Sequence, residues 1–138
     1  MGTILDKIVD QKKKEVAALY ETYTPVKEKR KTRSLVKALE QFTVIAEVKR
    51  ASPSKGDINL HVDVRKQVGT YEDCGAGAVS VLTDGQFFKG SFHDLQTARE
   101  ESNIPLLCKD FIIDKIQIDR AYEAGADIIL LIVAALTK

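Results

Sequence analysis

Val44-Ile45-Ala46-Glu47-Val48-Lys49-Arg50-Ala51-Ser52-Pro53-Ser54-Lys55-Gly56 is a short apolar strand that runs into opposite charges and a Ser-Pro turn. Strand side chains alternate between faces, so Ile45, Glu47 and Lys49 share one side and Val44, Ala46 and Val48 the other. Burying an acid and a base at the carboxyl end of an apolar run is costly unless they are paired or used. The stretch points to a site at a strand end, against the plainer alternative of an exposed edge.

Outward from this strand the chain repeats one pattern three times: a polar loop, a helix with a start signal and often a glycine stop, then an apolar strand. The spacing predicts a helix from about His61 to Cys74, stopped by Gly75, and a strand from Ala78 to Thr83. Ser91 and Asp94 form a capping box for a helix reaching about Glu101, and Pro105 opens a strand from Leu106 to Asp110. Asp114 and Gln117 cap a third helix that stops at Gly125 before a strand from Ile128 to Val133. Tyr71-Glu72-Asp73-Cys74-Gly75-Ala76 and Tyr122-Glu123-Ala124-Gly125-Ala126 form a faint repeat, each closing a helix ahead of a strand. Strands separated by helices run parallel, and near-continuous Val, Ile and Leu runs suit a covered sheet. The class is α/β, with a doubly wound sheet and a β/α barrel both open.

Upstream, Thr3 to about Tyr20 reads as an amphipathic helix capped by Thr3 with Asp6, a lid or a brace. Pro25 breaks that pattern, and the basic run Lys27 to Arg33 reads as a solvated connector in preference to a phosphate-binding patch. A short helix from Ser34 to Gln41 leads into the opening strand.

A length of 138 residues suits one domain or part of one. The net charge of +1 supplies no global field for nucleic acid or an acidic membrane surface, so a small-molecule partner is expected. Ile128 to Leu136, the longest apolar run, falls far short of the ~20 residues a membrane-spanning helix needs. The amino terminus lacks the apolar region and cleavage site of a secretory signal, which makes the cytoplasm the expected location. Cys74 and Cys108 are far apart and read as reduced and structural, while His61 and His93 each stand beside a helix start. No metal site is expected, because stable sites cluster three or four ligands.

In either architecture the working face is the carboxyl edge of the parallel strands. Polar residues collect there: Glu47 and Lys49, then Thr83-Asp84, then Lys109-Asp110-Phe111, with Thr137 and Lys138 after the fourth strand. Lys49 and Lys109 near Glu47 give a lysine flanked by a cation and an acid, able to serve as a general acid. The same pair of cations could bind a carboxylate or phosphate, or simply form a structural pairing. Gly85-Gln86-Phe87-Phe88-Lys89-Gly90-Ser91 has the glycine spacing of a P-loop but Ser where the essential Lys belongs, which argues against nucleotide binding. Phe87, Phe88 and Phe111 suit either an aromatic wall or a hydrophobic plug.

The order A-E-V-K-R-A-S-P-S-K-G, S-V-L-T-D-G-Q-F-F-K-G-S, L-L-C-K-D-F-I-I-D and G-A-D-I-I-L-L-I resembles the indole-3-glycerol phosphate synthase family across essentially the whole chain. The resemblance implies a TIM (β/α)8 barrel of tryptophan biosynthesis. The implied reaction is the decarboxylating ring closure of 1-(2-carboxyphenylamino)-1-deoxyribulose 5-phosphate without any cofactor. It also implies Lys109 as the general acid, Lys49 as the cation holding a substrate anion, and Glu47 as the acid orienting it. Ser52 becomes a substrate-contacting hydroxyl, and Phe88, Phe111 and Leu131 the apolar wall around the anthranilate ring.

The family's chain is nearly twice as long and closes eight strands. On that resemblance this chain is expected to be a half-barrel. Residues 1–43 would form the helical extension and linker, and residues 44–138 the first four strands with three helices. The second half is where the family keeps a further essential glutamate, an asparagine, an arginine and the loops that grip the phosphate. The half-barrel alone is expected to be inactive and to associate with itself or with a carboxyl-terminal half. Two alternatives stand beside this expectation: another phosphosugar barrel such as a phosphoribosylanthranilate isomerase, and a non-catalytic folding or assembly fragment.

Overall fold

The computed structural model describes residues 2–136. The elements follow the chain as α1 (Ile4–Thr22), α2 (Leu35–Ala38), β1 (Ile45–Val48), β2 (Ala51–Ser52), β3 (Gly56–Asp57), α3 (Val64–Asp73), β4 (Ala78–Leu82), α4 (Phe92–Glu101), β5 (Leu106–Lys109), α5 (Lys115–Glu123) and β6 (Ile128–Ile129). β1, β4, β5 and β6 make one parallel sheet in that order, and β2 pairs with β3 in a small antiparallel hairpin. Among the described residues the sheet does not close. Parallel strands alternating with helices give the arrangement of a partial β/α barrel, with β1 and β6 as open edges.

Side-chain parity sorts the sheet into two faces. Val48, Val79, Val81, Leu106 and Cys108 point at the helices and meet Val64 and Val68 of α3, Leu95 and Ala98 of α4, and Ala121 of α5 in one buried core. The opposite face carries Ile45, Glu47, Ser80, Leu107 and Lys109, and Ile45 there remains 44% exposed. Helix starts follow the sequence: Thr3 and Asp6 form a reciprocal capping box on α1, and Asp114 and Gln117 do so on α5. Gly75 and Gly125, with φ of 88° and 110°, end α3 and α5 in the left-handed conformation that glycine adopts freely.

The structure departs from the sequence reading in five places. The Ser91 hydroxyl caps α4, but the Asp94 carboxylate closes no box. It takes a bidentate pair from Arg50 at 2.9 Å for both contacts, tying the end of β1 to α4. The helix placed at Ser34 to Gln41 shrinks to the single turn α2, because Val36 and Phe42 find no packing and so short a helix has little stability of its own. The strand placed at Ile128 to Val133 keeps only two paired residues, since β6 has no further neighbour, and Val133–Ala135 turns into a 3-10 helix. The Ser-Pro turn after β1 is present, but it is the tip of a β2–β3 hairpin whose strands the sequence reading did not place.

The fifth departure is the basic run. It is a strap rather than a solvated connector: Arg30 reaches Asp127 at 3.0 Å and stacks 4.9 Å over the Tyr122 ring, and Arg33 donates from its backbone N to Asp127 at 2.9 Å. Asp127 also pairs with Arg99 at 2.7 Å and accepts from the Leu106 backbone N at 3.0 Å. One fully buried carboxylate thus fastens the strap, α4, and the start of β5 at the amino edge of the sheet. Burial alone pushes Asp127 upward, but the donors from Arg33, Leu106, Arg30 and Arg99 outweigh it and hold its carboxyl below the usual range.

Candidate functional site

At the opposite, carboxyl edge, β1 and β5 present Glu47 and Lys109 on the same face one strand apart, with Ser80 of β4 between them. Glu47 Oε1 accepts from Lys109 Nζ at 2.6 Å and Oε2 pairs with Lys49 Nζ at 2.9 Å, so one carboxylate holds both lysines. The Ser80 hydroxyl donates to Oε1 at 3.3 Å, and the Tyr71 hydroxyl donates to the Glu47 backbone carbonyl at 2.9 Å, fixing the strand end. Desolvation is the largest single influence on Glu47 and raises its pKa. The hydrogen bonds and charges of Lys109 and Lys49 together outweigh it, leaving the group below its ordinary value. Glu47 is therefore an ionised anchor at neutral pH rather than a proton donor.

Two hollows flank this triad. The larger, about 740 Å³, is lined by Lys49, Ser52, Phe88 and Phe111 together with Ile4, Leu5 and Ile8 of α1. Phe88 and Phe111 stand 5.9 Å apart between ring centroids and tilted by 39°, an aromatic wall. The smaller hollow, about 290 Å³, is lined by Glu47, Lys109, Ser80, Ile45, Leu107 and Leu130. Ser52 Oγ accepts from the Lys55 backbone N at 3.1 Å, which folds the turn over the larger hollow.

Glu47, Lys49, Lys109, Ser52, Phe88 and Phe111 are thus brought to one edge. Leu131 is not: it is half exposed and lines neither hollow. The pairing of Leu107 with Ile128 and of Cys108 with Ile129 sets the parity, so Leu130 shares the face of Lys109 and Leu131 takes the other. Thr137 and Lys138, placed at the fourth strand's end from sequence, lie outside the described residues.

Sequence reasoning missed Lys12. It is 2% exposed, and its Nζ meets Asp84 Oδ1 at 2.6 Å, Glu15 Oε2 at 2.7 Å and Asp110 Oδ1 at 2.8 Å. Burial, the largest single influence, lowers the pKa of Lys12, but the carboxylates, led by Asp110, outweigh it and raise the group above its ordinary value. The signal was available: Leu5, Ile8, Lys12, Val16 and Leu19 fall on one stripe of α1, and a lysine on an apolar stripe needs a buried partner. The loop after β4 is shaped by Asp84, whose Oδ2 accepts from the Phe87 and Phe88 backbone N at 2.7 and 3.1 Å. Gly90 closes that loop against the Leu82 carbonyl so tightly that a Cβ would collide with it.

The family described as indole-3-glycerol phosphate synthase matches residues 5–138 of this chain. The chain is similar to the indole-3-glycerol phosphate synthase of Bacillus cereus, 97% identical over 138 residues that cover 100% of this chain and 54% of the relative. That of Bacillus thuringiensis subsp. konkukian (strain 97-27) is likewise 97% identical over the same shares. That of Bacillus anthracis (strain CDC 684 / NRRL 3495) is 96% identical, again over 100% of this chain and 54% of the relative. The chain spans about half the length of the curated relatives it matches. With the family pattern running from residue 5 to residue 138, the chain belongs to the indole-3-glycerol phosphate synthase family.

Proposed function

We propose that this chain supplies the proton-donating half of an indole-3-glycerol phosphate synthase, acting in the cytoplasm on a phosphorylated small-molecule substrate and needing a carboxyl-terminal half for turnover. The observation that carries the reading is the shared carboxylate: Glu47 holds Lys109 at 2.6 Å and Lys49 at 2.9 Å beside the Phe88–Phe111 wall.

In this reading the anthranilate ring packs on Phe88 and Phe111, with its carboxylate toward Lys49 and the Ser52 hydroxyl near the substrate. The ring carbon bearing the carboxylate attacks the ribulose carbonyl, forming the new carbon–carbon bond. The carbonyl electrons move to oxygen, which takes a proton from Lys109. Loss of carbon dioxide returns its bonding pair to the ring. The hydroxyl then takes a proton and leaves as water while the methylene carbon beside the nitrogen gives one up to a base from the carboxyl-terminal half, and that C–H pair forms the double bond that completes the indole. Glu47 orients both cations, and the wall shortens the approach of the reacting carbons.

The assay joins this chain with the remaining carboxyl-terminal part of the Bacillus cereus relative and supplies 1-(2-carboxyphenylamino)-1-deoxyribulose 5-phosphate labelled in the carboxylate. Release of labelled carbon dioxide together with fluorescent indole-3-glycerol phosphate is the expected result. Phosphoribosylanthranilate is offered in a parallel reaction, and its isomerisation there would favour the isomerase reading. Against that reading, the carboxyl-edge thiol Cys108 is buried and pushed up to about 12 by desolvation, with no thiolate to offer.

Association belongs to the same proposal. The unpaired edges β1 and β6 and the uncovered inner face with Ile45, Leu107 and Leu130 favour pairing with a second half-barrel. Light scattering of the chain at tens of micromolar is expected to show a species of twice the 15.3 kDa mass or larger. A strictly monomeric species would count against pairing.

A further inference from the structure

We propose that Lys12 is a positioning residue for the reaction, setting from the amino-terminal extension where Phe88, Phe111 and Lys109 stand. The inference rests on the reading above and adds α1 to the working parts of the site.

The Lys12 ammonium lies within 2.8 Å of three carboxylates belonging to different elements: it donates to Glu15 of α1 and forms ion pairs with Asp84 after β4 and Asp110 after β5. Asp84 uses its second oxygen to hold the Phe87 and Phe88 amides. Asp110 accepts from the Phe111 amide at 2.8 Å and from the Thr83 hydroxyl at 2.6 Å, and it directly follows Lys109. A displacement of Lys12 is therefore passed to both halves of the aromatic wall and to the backbone of the proton donor. Without the ammonium, Asp84 and Asp110 become two buried like charges with no cation between them, and the loops they hold must part. The rest of α1 is consistent with a clamp: Ile4, Leu5 and Ile8 face Phe88 and Phe111 across the larger hollow, and Tyr20 donates to Asp114 at 2.8 Å.

The test has two arms, the first on this chain and independent of catalysis. Amide hydrogen exchange in Lys12→Met is expected to speed at least tenfold at Phe87, Phe88 and Phe111, while Val81 and Cys108 in the core keep wild-type protection. Should Lys12→Met lose protection throughout, the double variant Lys12→Met/Asp84→Asn, which removes one of the stranded charges, is measured in its place and read at the Phe111 amide, which Asp110 and not Asp84 holds. Unchanged exchange at the three phenylalanine amides, or uniform loss in both variants, would overturn the proposal and leave Lys12 a structural residue. The second arm uses the joined halves. kcat/KM is expected to fall roughly 100-fold, the size of effect that a 1 Å misplacement produces. Asp127→Asn, at the amino edge, lowers stability and leaves kcat unchanged. If the wild-type halves show no turnover, the catalytic reading fails while the exchange arm still decides the position of the loops. Loosened amides with an unchanged kcat/KM in active halves would also overturn the positioning role.

Discussion

Replacing Lys109 with alanine is expected to lower kcat of the joined halves by roughly 10²- to 10⁴-fold, the usual contribution of a positioned general acid. That range corresponds to about 3–5 kcal/mol of transition-state stabilisation. KM should move far less, because the aromatic wall and Lys49 remain in place. Lys109→Arg separates the two chemistries open to this cation. A guanidinium keeps the charge and the 2.6 Å partner Glu47 but does not give up its proton near neutral pH. Proton donation by Lys109 predicts that arginine fails to restore kcat. Anion binding alone predicts that it restores most of it. Steady-state kinetics on the three proteins reads the difference directly.

The second large effect lies at the other edge of the sheet. Asp127→Ala is expected to cost about 3–5 kcal/mol, because it strands the guanidinium of Arg99, held mostly out of solvent, and frees the Arg30 strap. For a chain of this length that loss lowers Tm by roughly 10 °C or more. The pH dependence has a definite sign. The folded carboxyl of Asp127 lies below its ordinary value, so its stabilisation is present above about pH 4 and is lost as pH falls through the folded pKa. Urea unfolding of wild type and Asp127→Asn, followed from pH 7 into the acid range, should converge as that limb is descended. Parallel curves throughout would contradict the assignment.

Both effects were unequally legible in the sequence. The E-x-K pattern of β1 and the K-D-F run that begins with the last residue of β5 announced a charged strand edge, and period-two alternation put Glu47 with Lys49 and Lys109 with Leu107, while the register through β4 sets Glu47 and Lys109 on one face. Their mutual distance was not legible, since it depends on β4 standing between them in the sheet. Leu131 shows the limit in one residue: within an unbroken apolar run no polar neighbour marks which face is which, and only the register with Leu107 selects Leu130. Capping signals located α1 and α5 to within a few residues because they act locally. Asp94 defeated the same signal, since Arg50, a distant cation, outcompetes the neighbouring backbone N–H for its carboxylate. The basic strap failed for the same kind of reason, its acceptor Asp127 lying 94 residues from Arg33 along the chain.

Lys12 joins these as a long-range partner visible only as an anomaly, a charge on an apolar stripe. The described residues contain no helix long and apolar enough to cross a membrane, and the anomaly resolves inside the fold.

The proposal is that Lys109 donates the proton in a site that the remaining part of the relatives' length completes. It is tested most directly by the fluorescence of indole-3-glycerol phosphate formed from its substrate, with this chain alone and with the carboxyl-terminal part of the Bacillus cereus relative added. The account predicts no product from the chain alone and turnover once the second half is present. Turnover by the chain alone, or none by the joined halves, would contradict it.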